Sequence, residues 1–89
     1  MIRVVKRSGR TQIYDRNKLY ESIYASCISV HEPVAMAKST AEKVVALVEK
    51  WLKKKGEVTS NDLRRIAGGV LSELNTHAGY LYLHHRIMW

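Results

Sequence analysis

Cationic side chains crowd the start of the chain and are the residues best suited to binding chemistry. In the segment VVKRSGRTQIYDRNKL, Lys6, Arg7 and Arg10 surround one turn, and Lys18 follows on the predicted helix. Asp15 is the one acidic residue of this segment. Like charges that pair across strands are mildly destabilising, and the helix dipole disfavours a cation near a helix start. Charge-assisted hydrogen bonds to phosphate are strong. The cluster therefore favours an anionic ligand such as a triphosphate.

The same cations have a second interpretation, as a solvated hairpin tip. Charged side chains at an edge strand protect it from pairing with other chains and need no ligand to explain them. Composition alone leaves both interpretations open.

The composition bounds the class of protein. The chain has 89 residues, 46% of them hydrophobic, which fits a single domain over residues 1–89. Lys and Arg number 15 against 8 Asp and Glu, and the net charge of +7 points to nucleic acid, free nucleotide or a membrane surface. Cys27 is the sole cysteine, which excludes an internal disulfide and favours a reducing, cytoplasmic location. No apolar run approaches the roughly 20 residues that span a bilayer, so no membrane partner is expected.

Motifs of catalysis are missing from the sequence. There is no Walker A pattern, no HExxH, no Cys-x-x-Cys and no nucleophile elbow. His84 and His85 are adjacent, so on a helix they point about 100° apart and cannot share a metal. We expect no enzyme and no metal site.

A hairpin is predicted at the N-terminus. Residues 2–7 and 11–14 are typical of two strands joined by a two-residue turn at Ser8-Gly9. This turn would pair Arg7 with Arg10, Lys6 with Thr11, and Val4 with Ile13. Val4, Lys6, Thr11 and Ile13 would then share one face.

Four helices are predicted after the hairpin. The first spans about residues 16–29 and is capped by Asp15. The second starts at Pro33 and ends at residues 53–55, with Gly56 as a left-handed cap. The third starts at Thr59 or Ser60, where Thr59 and Asp62 have the capping-box spacing.

The fourth helix is predicted over residues 78–89, after a break at residues 75–77. Gly68-Gly69 inside the third helix predicts close backbone packing there. The expected fold class is α+β, mostly α, with the hairpin covering a four-helix bundle.

The order of the N-terminal residues resembles the ATP-cone family. The pattern V-x-K-R-x-G, followed by an aromatic-Asp-x-x-K-L, is met by Val4, Lys6, Arg7, Gly9, Tyr14, Asp15, Lys18 and Leu19. The resemblance continues through residues 59–63 and 79–82, so it covers nearly the whole chain. ATP cones are regulatory domains at the N-termini of ribonucleotide reductases and the nucleotide-sensing part of a repressor of reductase genes.

The resemblance implies a hairpin lid over the helices with ATP or dATP bound between, with or without Mg²⁺. It implies a non-catalytic module that changes oligomeric state or partner contacts. The nucleotide-binding residues that it implies are Val4, Lys6, Arg7, Gln12, Asp15, Lys18, Leu19, Ser60, Leu63 and Arg64. In this set Lys6 and Arg7 meet phosphates, Gln12 reads the base, and Leu19 is either an apolar floor or a core residue. Arg64 departs from the smaller residue or histidine that relatives can carry.

Two further departures bear on the partner. The distal lysine that binds phosphate in some relatives has no counterpart before Trp89, and a zinc ribbon for holding DNA is absent. The chain is expected to be either a module of a longer protein or a free-standing cone. Its partner would be a second copy, or a reductase or regulator in trans.

A small basic nucleic-acid-binding domain that regulates nucleotide-metabolism genes is the alternative. The net charge of +7 and a second basic patch at Lys50 and residues 53–55 favour it. A nucleotide-hydrolysing enzyme is the weakest hypothesis, because no general base or metal ligands are evident. The sequence leaves open whether ATP or dATP binds better and how many nucleotides bind.

Overall fold

The computed structural model describes residues 2–84, which form a small sheet and four helices. The elements are β1 (Arg3–Val5), β2 (Thr11–Ile13), α1 (Arg16–Ser29), α2 (Val34–Leu52), β3 (Glu57–Thr59), α3 (Ser60–Leu74) and α4 (Thr76–His84). The α+β, mostly helical class is confirmed. The predicted end of the fourth helix, residues 85–89, lies outside the described residues.

The sheet has three strands, not the two of a simple hairpin. Its order is β2-β1-β3, with β1 antiparallel to β2 and parallel to β3. β3 was not predicted, because it has three residues and only Val58 among them is buried, so it shows no periodicity. Its place beside β1 ties the hairpin directly to the start of α3.

The expected hairpin register is wrong by one residue. The observed pairs are Arg3 with Ile13, Val4 with Gln12, and Val5 with Thr11. The cause is Gly9, whose φ of 88° is in the left-handed region. Its amide donates to the Lys6 carbonyl at 2.8 Å, and the Lys6 amide donates to the Arg10 carbonyl at 2.7 Å. A three-residue loop with a glycine bulge therefore replaces the two-residue turn.

The corrected register changes which side chains share a face. Because side chains alternate along a strand, Val4 and Gln12 lie on one face, which Lys6 and Arg10 continue toward the loop. Ile13, expected on this face, lies on the other one and is 51% exposed. The predicted partnership of Val4 with Ile13 is therefore wrong.

Side-chain caps fix the starts of α1 and α3 as predicted. Asp15 accepts hydrogen bonds from the amides of Asn17 at 3.0 Å and Lys18 at 3.3 Å. The hydroxyl of Thr59 accepts from the amide of Asp62 at 3.0 Å. These bonds satisfy amides that have no partner inside the first helical turn.

The end of α2 and the start of α4 differ from the prediction. Gly56 is not a left-handed cap, since within residues 2–84 Gly9 is the glycine with positive φ. The Gly56 carbonyl instead accepts from the amide of Arg3 at 3.1 Å, because the chain passes straight into the sheet. α4 begins at Thr76 and not at residue 78, because the side chain of Asn75 accepts from the amide of Ala78 at 3.0 Å.

The core lies between the four helices and under the sheet. α1 packs on α2 and α4, and α3 packs on α2 and α4. The fully or nearly fully buried hydrophobic residues are Val4, Leu19, Ile23, Cys27, Ala37, Ala41, Val44, Val45, Val48, Leu52, Val58, Leu63, Ala67, Leu71, Ala78 and Tyr82. None of the helices described combines the length and the apolar character needed to cross a membrane.

Glycines allow α3 and α4 to approach closely. A methyl group on Gly79 would lie 2.5 Å from the Cα of Ser72, and one on Gly68 would lie 2.6 Å from the Cγ of Leu83. Close packing is thus found at Gly68, against the side chain of Leu83. Gly69 faces open space, so the prediction is wrong for that residue.

A carboxylate joins the helices at the end of the bundle away from the sheet. Glu32 accepts hydrogen bonds from the Thr40 hydroxyl at 3.0 Å and the Asn75 side-chain amide at 3.2 Å. Burial alone would raise the pKa of Glu32, but hydrogen bonds from Cys27, Thr40 and Asn75 outweigh it and lower the pKa. Burial, and then the contact with Glu32, raises the pKa of the Cys27 thiol to about 12. This thiol is therefore un-ionised at neutral pH.

Candidate functional site

A cleft of about 280 Å³ lies beside the hairpin and is lined by Lys6, Arg10, Thr11 and Gln12. The end of β1 supplies Lys6, and the returning strand supplies the other three residues. Two cations, a hydroxyl and an amide thus line a space about as large as the smaller ligand pockets of proteins, which start near 300 Å³. The lining is chemically matched to a polar anion.

Gln12 presents an unsatisfied hydrogen-bond donor in this region. Its Nε2 atom is buried and has no hydrogen-bond partner within residues 2–84. Leaving a buried donor unpaired costs about 1–3 kcal/mol, so such atoms call for a specific explanation. A ligand acceptor that reached this nitrogen from the cleft would remove this cost.

The cations of the hairpin have no acidic partner. The side chains of Lys6, Arg7 and Arg10 form no hydrogen bond or ion pair with any residue that the structure describes. The carboxylate of Asp15 is engaged with the first turn of α1. Glu57 lies 3.9 Å from Arg3, an exposed and weak pair. The positive charge at the hairpin tip is therefore uncompensated.

The start of α3 follows the strand that pairs in parallel with β1. Val5 is the neighbour of Thr59 in this pair, and Ser60 is the next residue along the chain. No residue of α3 is among those that line the cleft. Arg64 does not line the cleft, because its guanidinium donates to Asn61 at 2.9 Å on the same helix.

Three predicted site residues belong to the core. Val4, Leu19 and Leu63 are completely buried, so of the two roles weighed for Leu19 the structure shows the core role. Any contact that they make with a ligand requires the hairpin to move or comes from their backbone. Their role in binding stays a prediction.

Asp15 and Lys18 lie at the opposite end of β2 from the loop. Asp15 is exposed at the cap of α1, and Lys18 is half-buried in the first turn. Neither lines the cleft. Arg7 is exposed in the loop itself. Of the predicted residues, the structure brings Lys6 and Gln12 together in the cleft, and Ser60 follows β3 outside its lining.

Arg10 and Thr11 line the cleft but are not among the binding residues that the family resemblance implies. Arg10 does belong to the cation cluster for which the sequence favours an anionic ligand. The position of both residues depends on the glycine bulge, which puts Arg10 opposite Lys6. The signal was present in the sequence, since a glycine preceded by three polar residues is compatible with a three-residue loop as well as a two-residue turn.

The base of the hairpin is anchored to α2. The Tyr14 hydroxyl donates to Glu49 at 3.0 Å, and Arg16 lies 3.6 Å from the same carboxylate oxygen. Burial, and then this carboxylate, raises the pKa of Tyr14 well above its usual value. The strand ends are therefore held while the loop carries the free cations.

Metal ligands are not grouped in the described part of the chain. No three His, Cys, Asp or Glu side chains there are close enough to hold a metal ion. We predicted that His84 and His85 cannot share a metal ion. His85 lies outside the described residues, so this stays a prediction.

Comparison with known proteins identifies the family. No curated protein sequence matches the chain. The family model described as the ATP cone domain, a nucleotide-binding regulatory module, matches residues 2–89. This match spans essentially the whole chain and agrees with the motif in the hairpin. The protein therefore belongs to the ATP-cone domain family.

Proposed function

We propose that the chain is a single domain that binds ATP or dATP beside its hairpin and reports the adenine-nucleotide level to a partner. The observation that carries this proposal is the buried, unpaired Nε2 of Gln12 next to a cleft with two unpaired cations. An amide offers a donor and an acceptor side by side. Adenine offers the complementary pair, a ring nitrogen and its amino group.

The charges set the direction of the nucleotide. With the base at Gln12, the phosphates would extend toward the loop, where Lys6 and Arg7 have no partner among residues 2–84. α3 follows β3, the strand parallel to β1, so its first amides would add positive potential on that side of the hairpin. Mg²⁺, if present, would be held by phosphate oxygens and water, since no group of protein ligands is described near it.

The sheet offers a route from the cleft to the helices. β2 leads into α1 through Asp15, and β3 leads into α3 through Thr59. A nucleotide that fixes the hairpin would therefore also fix the starts of two helices. Regulation requires only that the nucleotide bind one assembly better than another. The partner would be a second copy of the chain, or a ribonucleotide reductase or regulator in trans.

A double substitution tests the binding site. Lys6→Ala with Arg7→Ala should weaken ATP binding in isothermal titration by about 100-fold, because each charge-assisted bond contributes about 1.5 kcal/mol. The unfolding temperature without ligand should hardly change, since neither side chain has a partner in residues 2–84. Lys38→Ala with Lys43→Ala is the matched control. It removes the same charge from the exposed face of α2 and should leave ATP binding unchanged.

Two results would contradict the proposal. Wild-type affinity in the Lys6/Arg7 double variant would show that the nucleotide does not bind at the hairpin. Equal weakening in both double variants would show that only the overall charge matters. Binding of nucleic acid with strong salt dependence, together with indifference to free ATP, would favour the nucleic-acid alternative.

A further inference from the structure

We infer that Lys6 and Arg10 form a phosphate clamp across the two strands and that the clamp makes binding depend on the number of phosphates. Arg10 is part of the cation cluster at the turn but not of the binding set that the family resemblance implies, and its pairing with Lys6 comes from the observed register. The inference rests on the proposed function, since it assigns a residue and a ligand preference to the same cleft.

The geometry of the loop brings these two cations together. The Lys6 amide donates to the Arg10 carbonyl at 2.7 Å, so the two residues are opposite each other where the strands enter the loop. Both side chains line the cleft with Gln12. Had the two-residue turn formed, Arg10 would have been opposite Arg7 and Lys6 opposite Thr11.

The charge of the pair is not balanced by protein. Like charges directly opposite each other destabilise a pair of strands, and neither side chain has an ionic or hydrogen-bonding partner within residues 2–84. Arg10 is exposed while Lys6 is half-buried. An anion between them would convert repulsion into two charge-assisted contacts. The planar fork of the arginine side chain fits two oxygens of one phosphate.

The order of residues along β2 predicts which part of a nucleotide meets the clamp. Arg10 is two residues from Gln12 on the loop side, a separation of about 7 Å along a strand. A base held at Gln12 therefore directs its phosphate chain toward Lys6 and Arg10. A monophosphate offers the clamp much less charge than a triphosphate, so affinity should rise with each phosphate.

The test compares Arg10→Gln with Arg3→Gln in titrations with ATP, ADP and AMP. Each substitution removes one positive charge from the hairpin. Arg3, however, lies on the opposite face from Gln12, and its side chain is 63% exposed. We expect Arg10→Gln to weaken ATP binding about tenfold, the loss of one charge-assisted bond. AMP binding should change less than about twofold, and Arg3→Gln should match wild type for all three ligands.

The possible outcomes distinguish failure of the clamp from failure of the proposed function. Failure of the wild-type protein to bind any adenine nucleotide would refute the proposed function and the clamp with it. Wild-type binding of ATP with Arg10→Gln unaffected would refute the clamp alone. Equal weakening by Arg10→Gln and Arg3→Gln, or equal weakening of ATP and AMP by Arg10→Gln, would also refute it. Unfolding of both variants without ligand should stay cooperative, with Arg10→Gln at least as stable as wild type because it relieves the repulsion from Lys6, which verifies that each protein is folded.

Discussion

Replacing Gln12 by methionine should raise stability without ligand and reduce the stabilisation that ATP provides. The substitution keeps the length of the side chain but removes the buried donor that has no partner in residues 2–84. Relief of one unsatisfied donor should stabilise the free protein by about 1 kcal/mol. For a domain of this size that raises the unfolding temperature by about 4–8 °C.

ATP should stabilise the Gln12→Met variant less than it stabilises the wild-type protein. At an ATP concentration of 100 times the wild-type Kd, ligand adds about 2.7 kcal/mol to wild-type stability. If the variant loses one hydrogen bond to the base and binds about tenfold more weakly, the same ATP adds only about 1.4 kcal/mol. The stabilisation by ATP should therefore fall by about half.

Thermal unfolding followed by circular dichroism, with and without ATP, measures both effects. Ile13→Met is the matched control, because it puts methionine at the next position of β2 on the exposed face. It should show the wild-type response to ATP. A lower unfolding temperature for ligand-free Gln12→Met, or the full wild-type gain with ATP, would refute the role assigned to the Gln12 amide.

The helical bundle and its carboxylate give two further predictions. Gly79→Ala should destabilise the protein by about 1–3 kcal/mol, because the new methyl group would overlap Ser72. Gly69→Ala should stabilise the protein by about 0.5–1 kcal/mol, because its methyl group would meet open space and alanine favours the helix. Urea unfolding measures both, and a loss at Gly69 equal to that at Gly79 would contradict the packing. The pKa of Glu32 is lowered in the folded state, so its contribution is present above the unfolded pKa of about 4.3 and is lost as pH falls below that value. Glu32→Gln should therefore cost about 1–3 kcal/mol at pH 7 and much less at pH 3; an equal cost at both values would contradict the assignment.

Local signals in the sequence predicted the helices well. Asp15 and Thr59 bind the amides of the turns that follow them, so the starts of α1 and α3 were readable from single residues. The start of α4 was placed two residues late because Asn75 acts as a cap, and that residue sits in a stretch interpreted only as a break. A side chain that can either interrupt a helix or cap the next one does not show which role it takes.

The cleft was less predictable than the helices. Its composition depends on a register that one glycine shifts by one residue, and every side chain of β2 changes face with that shift. Three-residue strands contain too few alternations to fix the register by pattern. Lys6 and Gln12 were identified through resemblance to the family. Arg10 was recognised as part of the cation cluster, but its place opposite Lys6 depends on the register alone.

The most direct test of the central claim is isothermal titration of the wild-type domain with ATP, dATP and GTP, with the mass in solution measured for each. We expect micromolar binding of ATP or dATP, much weaker binding of GTP, and a change of assembly in the presence of the adenine nucleotide. Absence of binding to all three nucleotides, or equal binding of GTP, would contradict the claim that this cleft recognises adenine nucleotides.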